Sequence, residues 1–315
     1  MVSIILLAYN QEEFIAEAID SCFYQTYAPL EIILSDDCSP DRTFEVMKER
    51  VSHYRGPHKI ILVRSKANLG LAGNLNQALE RTTGEFIVVA AGDDISVPTR
   101  VEKLVRRLMD RTLPVDLVVS YFEEINVKGN STGFVKKEVM FTPDLSKNVF
   151  DWRCGATGAC VAYRRKLYEK YGPLDPMVVS EDWVYSFRAW LESGIGLVEE
   201  PLVKHRTHAG GIAVMHRNIS AIKDKGKRRR VRRQGAENQL GIAREWLKAW
   251  EINGNPNEAW VDPELRKLVS IRELEVGICD ASLLGAIKLS LKALRRGGGV
   301  GLSVRLLARY LFRRY

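Results

Sequence analysis

The strongest constraint on this chain is the alternation of its first 120 residues between short apolar runs and amphipathic helical patterns. Val2–Ala8 is almost purely apolar and of strand length. It is followed by a helical pattern from Gln11 to about Tyr24, with Asn10 and Glu13 spaced as a helix start. Leu30–Ser35 reads as the second strand. Ser39 and Pro40 then supply an N-cap and a first-turn proline for a helix reaching about Tyr54. Lys59–Arg64 reads as the third strand, Leu71–Thr82 as a helix, Phe86–Ala91 as the fourth strand, Pro98–Arg111 as a helix and Leu117–Phe122 as the fifth strand. Strands that are apolar without alternation are covered on both faces, and strand–helix alternation implies parallel order. The expected fold is therefore α/β, with a doubly wound, mostly parallel sheet and a helical, basic C-terminal extension. In such sheets ligands sit beyond the carboxyl ends of the strands. Three of those ends are polar: Ala8-Tyr9-Asn10, Ser35-Asp36-Asp37 and Gly92-Asp93-Asp94.

Downstream, residues 126–148 are irregular. Order resumes over Gly155–Tyr163, Arg165–Tyr171 and Asp182–Glu192. The formal net charge of +8 is unevenly spread. Residues 216–315 carry 22 Lys and Arg against 10 Asp and Glu, leaving 25 against 29 for the rest. Two parts with two jobs are expected, residues 1–215 for catalysis and 216–315 as the basic region. No stretch has the roughly 18 to 20 unbroken apolar residues of a membrane-spanning helix, and the N-terminus reads as a core strand instead of a signal peptide. The five scattered cysteines lack metal-type spacing and read as reduced thiols of a cytoplasmic protein.

The ordered set LLAYN (6–10), SDDCSPDRT (35–43), NLG (68–70), GDDISVP (92–98), GATGACVAYRR (155–165), SEDW (180–183) and HRTH (205–208) resembles glycosyltransferase family 2, which has the GT-A fold. The resemblance covers about residues 2–212. It implies an inverting transferase that moves a sugar from a nucleotide-diphosphate donor to a hydroxyl of a glycan or lipid-linked acceptor, with Mn2+ or Mg2+ as cofactor. It also implies the site residues. Asp94, with Asp93 and His208, would hold the metal, since Mg2+ or Mn2+ can bridge phosphates while anchored by one or two carboxylates. Leu7, Ala8, Tyr9, Asn10, Asp37, Gly70, Asp93 and Arg206 would bind the donor, Asp37 reading the N–H of a uracil or thymine. Asp182 would be the catalytic base, a role that typically contributes about 10²- to 10⁴-fold. Gly155, Thr157, Glu181 and Trp183 would face the acceptor. The sequence departs from the family pattern at Ala91, where an acidic residue is usual.

Two other readings compete. A sugar nucleotidyltransferase would carry a Gly-rich, basic loop after the first strand, where this chain has Ala8-Tyr9-Asn10. A catalytically silent nucleotide- or glycan-binding protein has Ala91 as its one support. In the basic region, KDKGKRRRVRR (223–233) and the Arg305, Arg309, Arg313 stripe of the final segment fit an anionic membrane surface. Nucleic acid is not expected, because no aromatic platform accompanies the charge. The composition leaves oligomer formation open.

Overall fold

The computed structural model describes residues 1–137, 156–208, 225–253 and 261–280, with a few single positions between and after them. The chain divides after His208 into a unit built on one sheet and a unit of helices.

In the first unit the elements run β1 (Val2–Ala8), α1 (Ile15–Phe23), β2 (Glu31–Asp36), α2 (Thr43–His53), β3 (Lys59–Arg64), α3 (Gly70–Leu79), β4 (Phe86–Ala91), β5 (Ile95–Ser96) and α4 (Arg100–Met109). There follow β6 (Leu117–Ile125), β7 (Ser131–Lys136), a 3-10 turn at Gly158–Cys160, β8 (Val161–Arg164), α5 (Lys166–Tyr171), α6 (Glu181–Trp190) and β9 (Ile195–Arg206). The strand order is β3-β2-β1-β4-β8-β6-β9-β5, with β7 added on β6. Of the five strands expected in parallel order, the first four pair in parallel, with β1 between β2 and β4, and the fifth, β6, is separated from them by β8. Every residue of β2 is buried, as is almost all of β1 and β4. Beyond β4 the sheet is mixed: β8 runs antiparallel to both β4 and β6, and β9 returns parallel to β6.

Three local expectations change. Helix α1 begins at Ile15, not Gln11, with Phe14 at the N-cap position, and Asn10, at φ +56°, lies in the preceding turn. Helix α2 begins at Thr43. Its first N–H is met by Asp41 Oδ1 at 3.0 Å, while Ser39 Oγ instead receives the Asn10 N–H at 2.9 Å. The irregular stretch after Asn126 holds strand β7, largely exposed and therefore without a burial pattern to betray it. Its partner β6 folds back on it through a turn with Gly129 at φ +80°.

The amino ends of the strands are clasped by one buried carboxylate. Glu31 accepts from Ser3 Oγ (2.7 Å), Thr83 N–H (2.7 Å), Thr83 Oγ1 (3.2 Å) and Lys59 Nζ (3.1 Å), and the Gly84 N–H donates to Ser3 Oγ at 3.0 Å. Burial works to raise the proton affinity of Glu31, but these donors outweigh it and hold its carboxyl below the usual range.

In the second unit, α7 (Lys225–Asn253) and α8 (Val261–Asp280) bury Ala243, Trp246, Trp250, Leu265, Leu268 and Ile278, among others. Helix α7 starts inside the basic run. Trp260 and the final segment with Arg305, Arg309 and Arg313 lie outside the described residues. Among those residues no helix is long and apolar enough to cross a membrane.

Candidate active site

The site grows from the carboxyl ends of β1, β2 and β4. The Leu7 carbonyl accepts the Gly92 N–H and the Ala8 carbonyl the Asp37 N–H, each at 2.9 Å, so the three strand ends are stitched together. Tyr9 and Asn10 follow β1 at this rim, and Tyr9 is 46% exposed. Gly92 lies under this turn, where a Cβ would stand 2.5 Å from Gln11 Oε1 and 3.1 Å from the Ala8 Cβ. A side chain there would displace the Gln11 amide and press on Ala8, so glycine lets the turn pack this closely.

Asp37 is buried, and its Oδ1 accepts the Leu69 N–H at 2.8 Å, tying the end of β2 to the entry of α3. Gly70 opens that helix at φ +73°. Burial raises the proton affinity of Asp37 despite hydrogen bonds from Leu69, Gly70 and Ser65. The neighbouring Asp36 is wholly buried and faces Arg64 Nε at 3.3 Å.

Asp93 and Asp94 occupy the turn after β4, and β9 delivers Arg206 and His208 against them. His208 Nε2 meets Asp93 Oδ2 at 2.9 Å. The Arg206 N–H donates to Asp94 Oδ1 at 2.8 Å and its Nε to the Asp93 carbonyl at 2.9 Å. The rest of the Arg206 guanidinium is also engaged, by the Asn126 and Val127 carbonyls and by Glu17 Oε2 at 2.6 Å. Phe14 lies between the two basic groups, 4.8 Å from the Arg206 guanidinium and 5.0 Å from the His208 ring. Arg206 therefore fixes the acidic turn from behind. Asp94 is 6% exposed, and burial first, then the charge of Asp93, pushes its carboxyl well above the usual range.

Among the described residues no three His, Cys, Asp or Glu side chains converge into a ready-made metal cage. Two convergent ligands backed by a buried carboxylate nonetheless fit a divalent cation that completes its coordination with substrate phosphates, as Mg2+ commonly does. The residues present fit such an ion.

Of the residues expected to face the acceptor, Glu181 and Trp183 lie at the start of α6. Glu181 and Asp182 form its first turn, Asp182 and Trp183 half-buried and Glu181 6% exposed. Thr157 Oγ1 accepts from Lys136 Nζ at 2.9 Å. Gly155 lies outside the described residues. Glu181 does not face outward: its carboxyl packs over Gly158, where a Cβ would be 3.1 Å from Glu181 Cδ.

Sequence reasoning passed over Arg100. It is wholly buried and donates to Ser96 Oγ (2.9 Å), the Val89 carbonyl of β4 and the Ala159 carbonyl of the 3-10 turn (each 2.6 Å). It thus ties the strand bearing the acidic turn to the segment beside Glu181. Its one sequence signal was position, since Arg100, Leu104 and Leu108 share the buried stripe of α4. Glu17, 189 positions from Arg206, gave no signal.

A mixed α/β sheet with this acidic turn at the end of β4 has the GT-A fold of glycosyltransferases. Glycosyl transferase family 2 matches residues 3–172, more than half of the chain, and the chain belongs to that family. The putative glycosyltransferase EpsE of Bacillus subtilis (strain 168) is 38% identical over 130 residues, 41% of this chain and 46% of that protein. An uncharacterized glycosyltransferase of Haemophilus influenzae is 29% identical over 221 residues, 66% of each chain. The chain spans about half to two thirds of the length of such relatives. Among solved structures, S. aureus TarS 1-349 in complex with UDP-GlcNAc aligns with a TM-score of 0.56 and 16% identity, over 98% of this chain and 91% of that one. The mannosyltransferase PcManGT from Pyrobaculum calidifontis, in complex with GDP-Man and Mn2+, aligns with a TM-score of 0.52 and 19% identity, over 99% and 85%. At these identities the likeness speaks to the fold.

Proposed function

We propose that the chain is an inverting, metal-dependent glycosyltransferase that moves a sugar from a UDP- or dTDP-sugar to a hydroxyl of a glycan or lipid-linked acceptor, as in surface polysaccharide synthesis. The observation that carries this reading is the contact of Asp93 Oδ2 with His208 Nε2 in front of buried Asp94, at the ligand-binding end of the sheet. Asp93, Asp94 and His208 would hold the cation, which supplies charge neutralisation for a departing diphosphate. Arg206 positions that turn. Tyr9, Asn10 and Gly70 border the donor, and the second Asp37 oxygen is the acceptor for a pyrimidine N–H. Asp182 is the base, with Thr157, Trp183 and Gly155 towards the acceptor.

Calorimetry with UDP, dTDP and GDP in the presence of Mn2+ tests the donor class. A hydrogen bond to a charged group contributes about 1.5–3 kcal/mol, so Asp37→Ala should weaken UDP binding roughly 10- to 100-fold. Native protein that binds GDP as tightly as UDP would overturn the pyrimidine reading. A sugar nucleotidyltransferase would instead release pyrophosphate from a nucleoside triphosphate and a sugar phosphate, which the same preparation can be asked to do.

The start of α7 supports peripheral attachment to an anionic membrane, on its cytoplasmic side. Lys227, Arg229, Arg230 and Arg233 are exposed there while Val231 is buried. Asp224 caps this end by accepting the Lys227 N–H, but no acid stands within the first turn to offset the run of cations, which a helix N-terminus disfavours. Anionic headgroups relieve that repulsion, at about 1 kcal/mol per basic residue near the surface. Replacing Lys227, Arg229 and Arg230 by Glu should therefore cut binding to phosphatidylserine vesicles by roughly 10²-fold or more. Undiminished sedimentation with the vesicles would remove the proposal.

A further inference from the structure

We propose that Glu181 is a positioning residue, held as an uncharged carboxylic acid in the cleft over Gly158, and that it thereby keeps the single negative charge of the Glu181–Asp182 pair on Asp182. The inference rests on the reading of Asp182 as the base. Adjacent residues on a helix point about 100° apart, so one carboxyl of the pair turns inward and the other stays at the rim. Glu181 is the inward one, and no cation among the described residues pairs with it. The groups that face it are Asp182 on its own turn and Tyr163 of β8, whose hydroxyl in turn feels Tyr185 and Arg188 from α6. The first turn of a helix favours an anion, but burial without a partner costs more. Burial first, and then the neighbouring Asp182 charge, push the Glu181 carboxyl up to about 8.

Only the neutral form is at home in this cleft. Once ionised, the side chain has to leave for water, and it starts from the same helical turn that presents Asp182. The acid form is favoured in the folded chain, so its contribution to stability is complete below the ordinary carboxylate value. It is lost as the pH rises through about 8. Gly158 is part of the device, since a side chain there would meet the far end of Glu181 and evict it.

The test compares Glu181→Ala, Glu181→Gln, Gly158→Ala and Asp182→Asn with the full native chain, by kcat, donor KM and pH profile. Glu181→Ala and Gly158→Ala should each lower kcat roughly tenfold with donor KM little changed. Glu181→Gln, the uncharged mimic, should recover most of that loss and should lack the alkaline decline expected of the native chain near pH 8. The proposal is overturned if Glu181→Gln is as damaged as Glu181→Ala at every pH, or if its alkaline limb coincides with the native one. Should Glu181→Gln fail to fold, infrared titration of the native chain decides the matter. A buried acid carbonyl band that fades near pH 8 supports the proposal, and its absence at neutral pH overturns it. If Asp182→Asn keeps full turnover, the base reading falls by itself, and the infrared band still reports the state of Glu181.

Discussion

Asp182→Asn is expected to lower turnover by roughly 10²- to 10⁴-fold while donor affinity stays within a few-fold of native. The substitution keeps the shape of the side chain at the start of α6 and removes its ability to take a proton. Asp182 is half-buried, and its Oδ1 receives the Trp183 N–H at 2.9 Å, which helps to fix the carboxylate at the start of α6. A base used once, on the face opposite the leaving diphosphate, gives a product of inverted anomeric configuration, which NMR of the product reads directly. Steady-state kinetics on the variant and the native chain separate the two roles that this residue can have. A loss confined to donor binding makes Asp182 a donor contact and moves the base elsewhere.

Removal of divalent cations is expected to abolish transfer, with restoration by Mn2+ or Mg2+. His208→Ala and Asp93→Asn should each approach the same loss, roughly 10²-fold or more. Asp93 and His208 reach one another across 115 positions of sequence, so each positions the other and neither substitution is confined to itself. A readout independent of turnover comes from thermal unfolding. A cation and UDP that bind only the folded chain raise its midpoint together, and the increment should vanish in Asp93→Asn. Full activity in excess chelator would end the metal-dependent reading.

The parallel half of the sheet was legible because β1, β2 and β4 are buried on both faces and so spell out continuous apolar runs, with helical patterns between them, and the edge strand β3 keeps the same apolar run although it is only partly covered. In the other half β6 was legible as Leu117–Phe122, but β5, β7 and β9 were not. Strand β9 is long and part exposed, interrupted at Glu199, Glu200 and Pro201, and it carries no pattern that separates it from a loop. The polar strand ends do come together, with Asp37, Asp93, Asp94 and His208 at the carboxyl rim. What each side chain touches was hidden, because it depends on partners distant in sequence. Arg206 looked free to meet a diphosphate until Phe14, Glu17 and the Asn126 and Val127 carbonyls were seen to surround it. The inward turn of Glu181 was hidden for another reason. Two adjacent carboxylates opening a helix look equivalent in sequence, and only the packing over Gly158 tells them apart.

The clasp made by Glu31 with Ser3, Lys59, Thr83 and Gly84 closes the amino ends of β1, β2 and β3 and the approach to β4, at the opposite edge from every residue assigned to chemistry. Strand registration is thus anchored where no substrate reaches. A chain built this way can be re-aimed at another sugar by redrawing the loops of one rim, while the other rim holds the strands in step throughout the change.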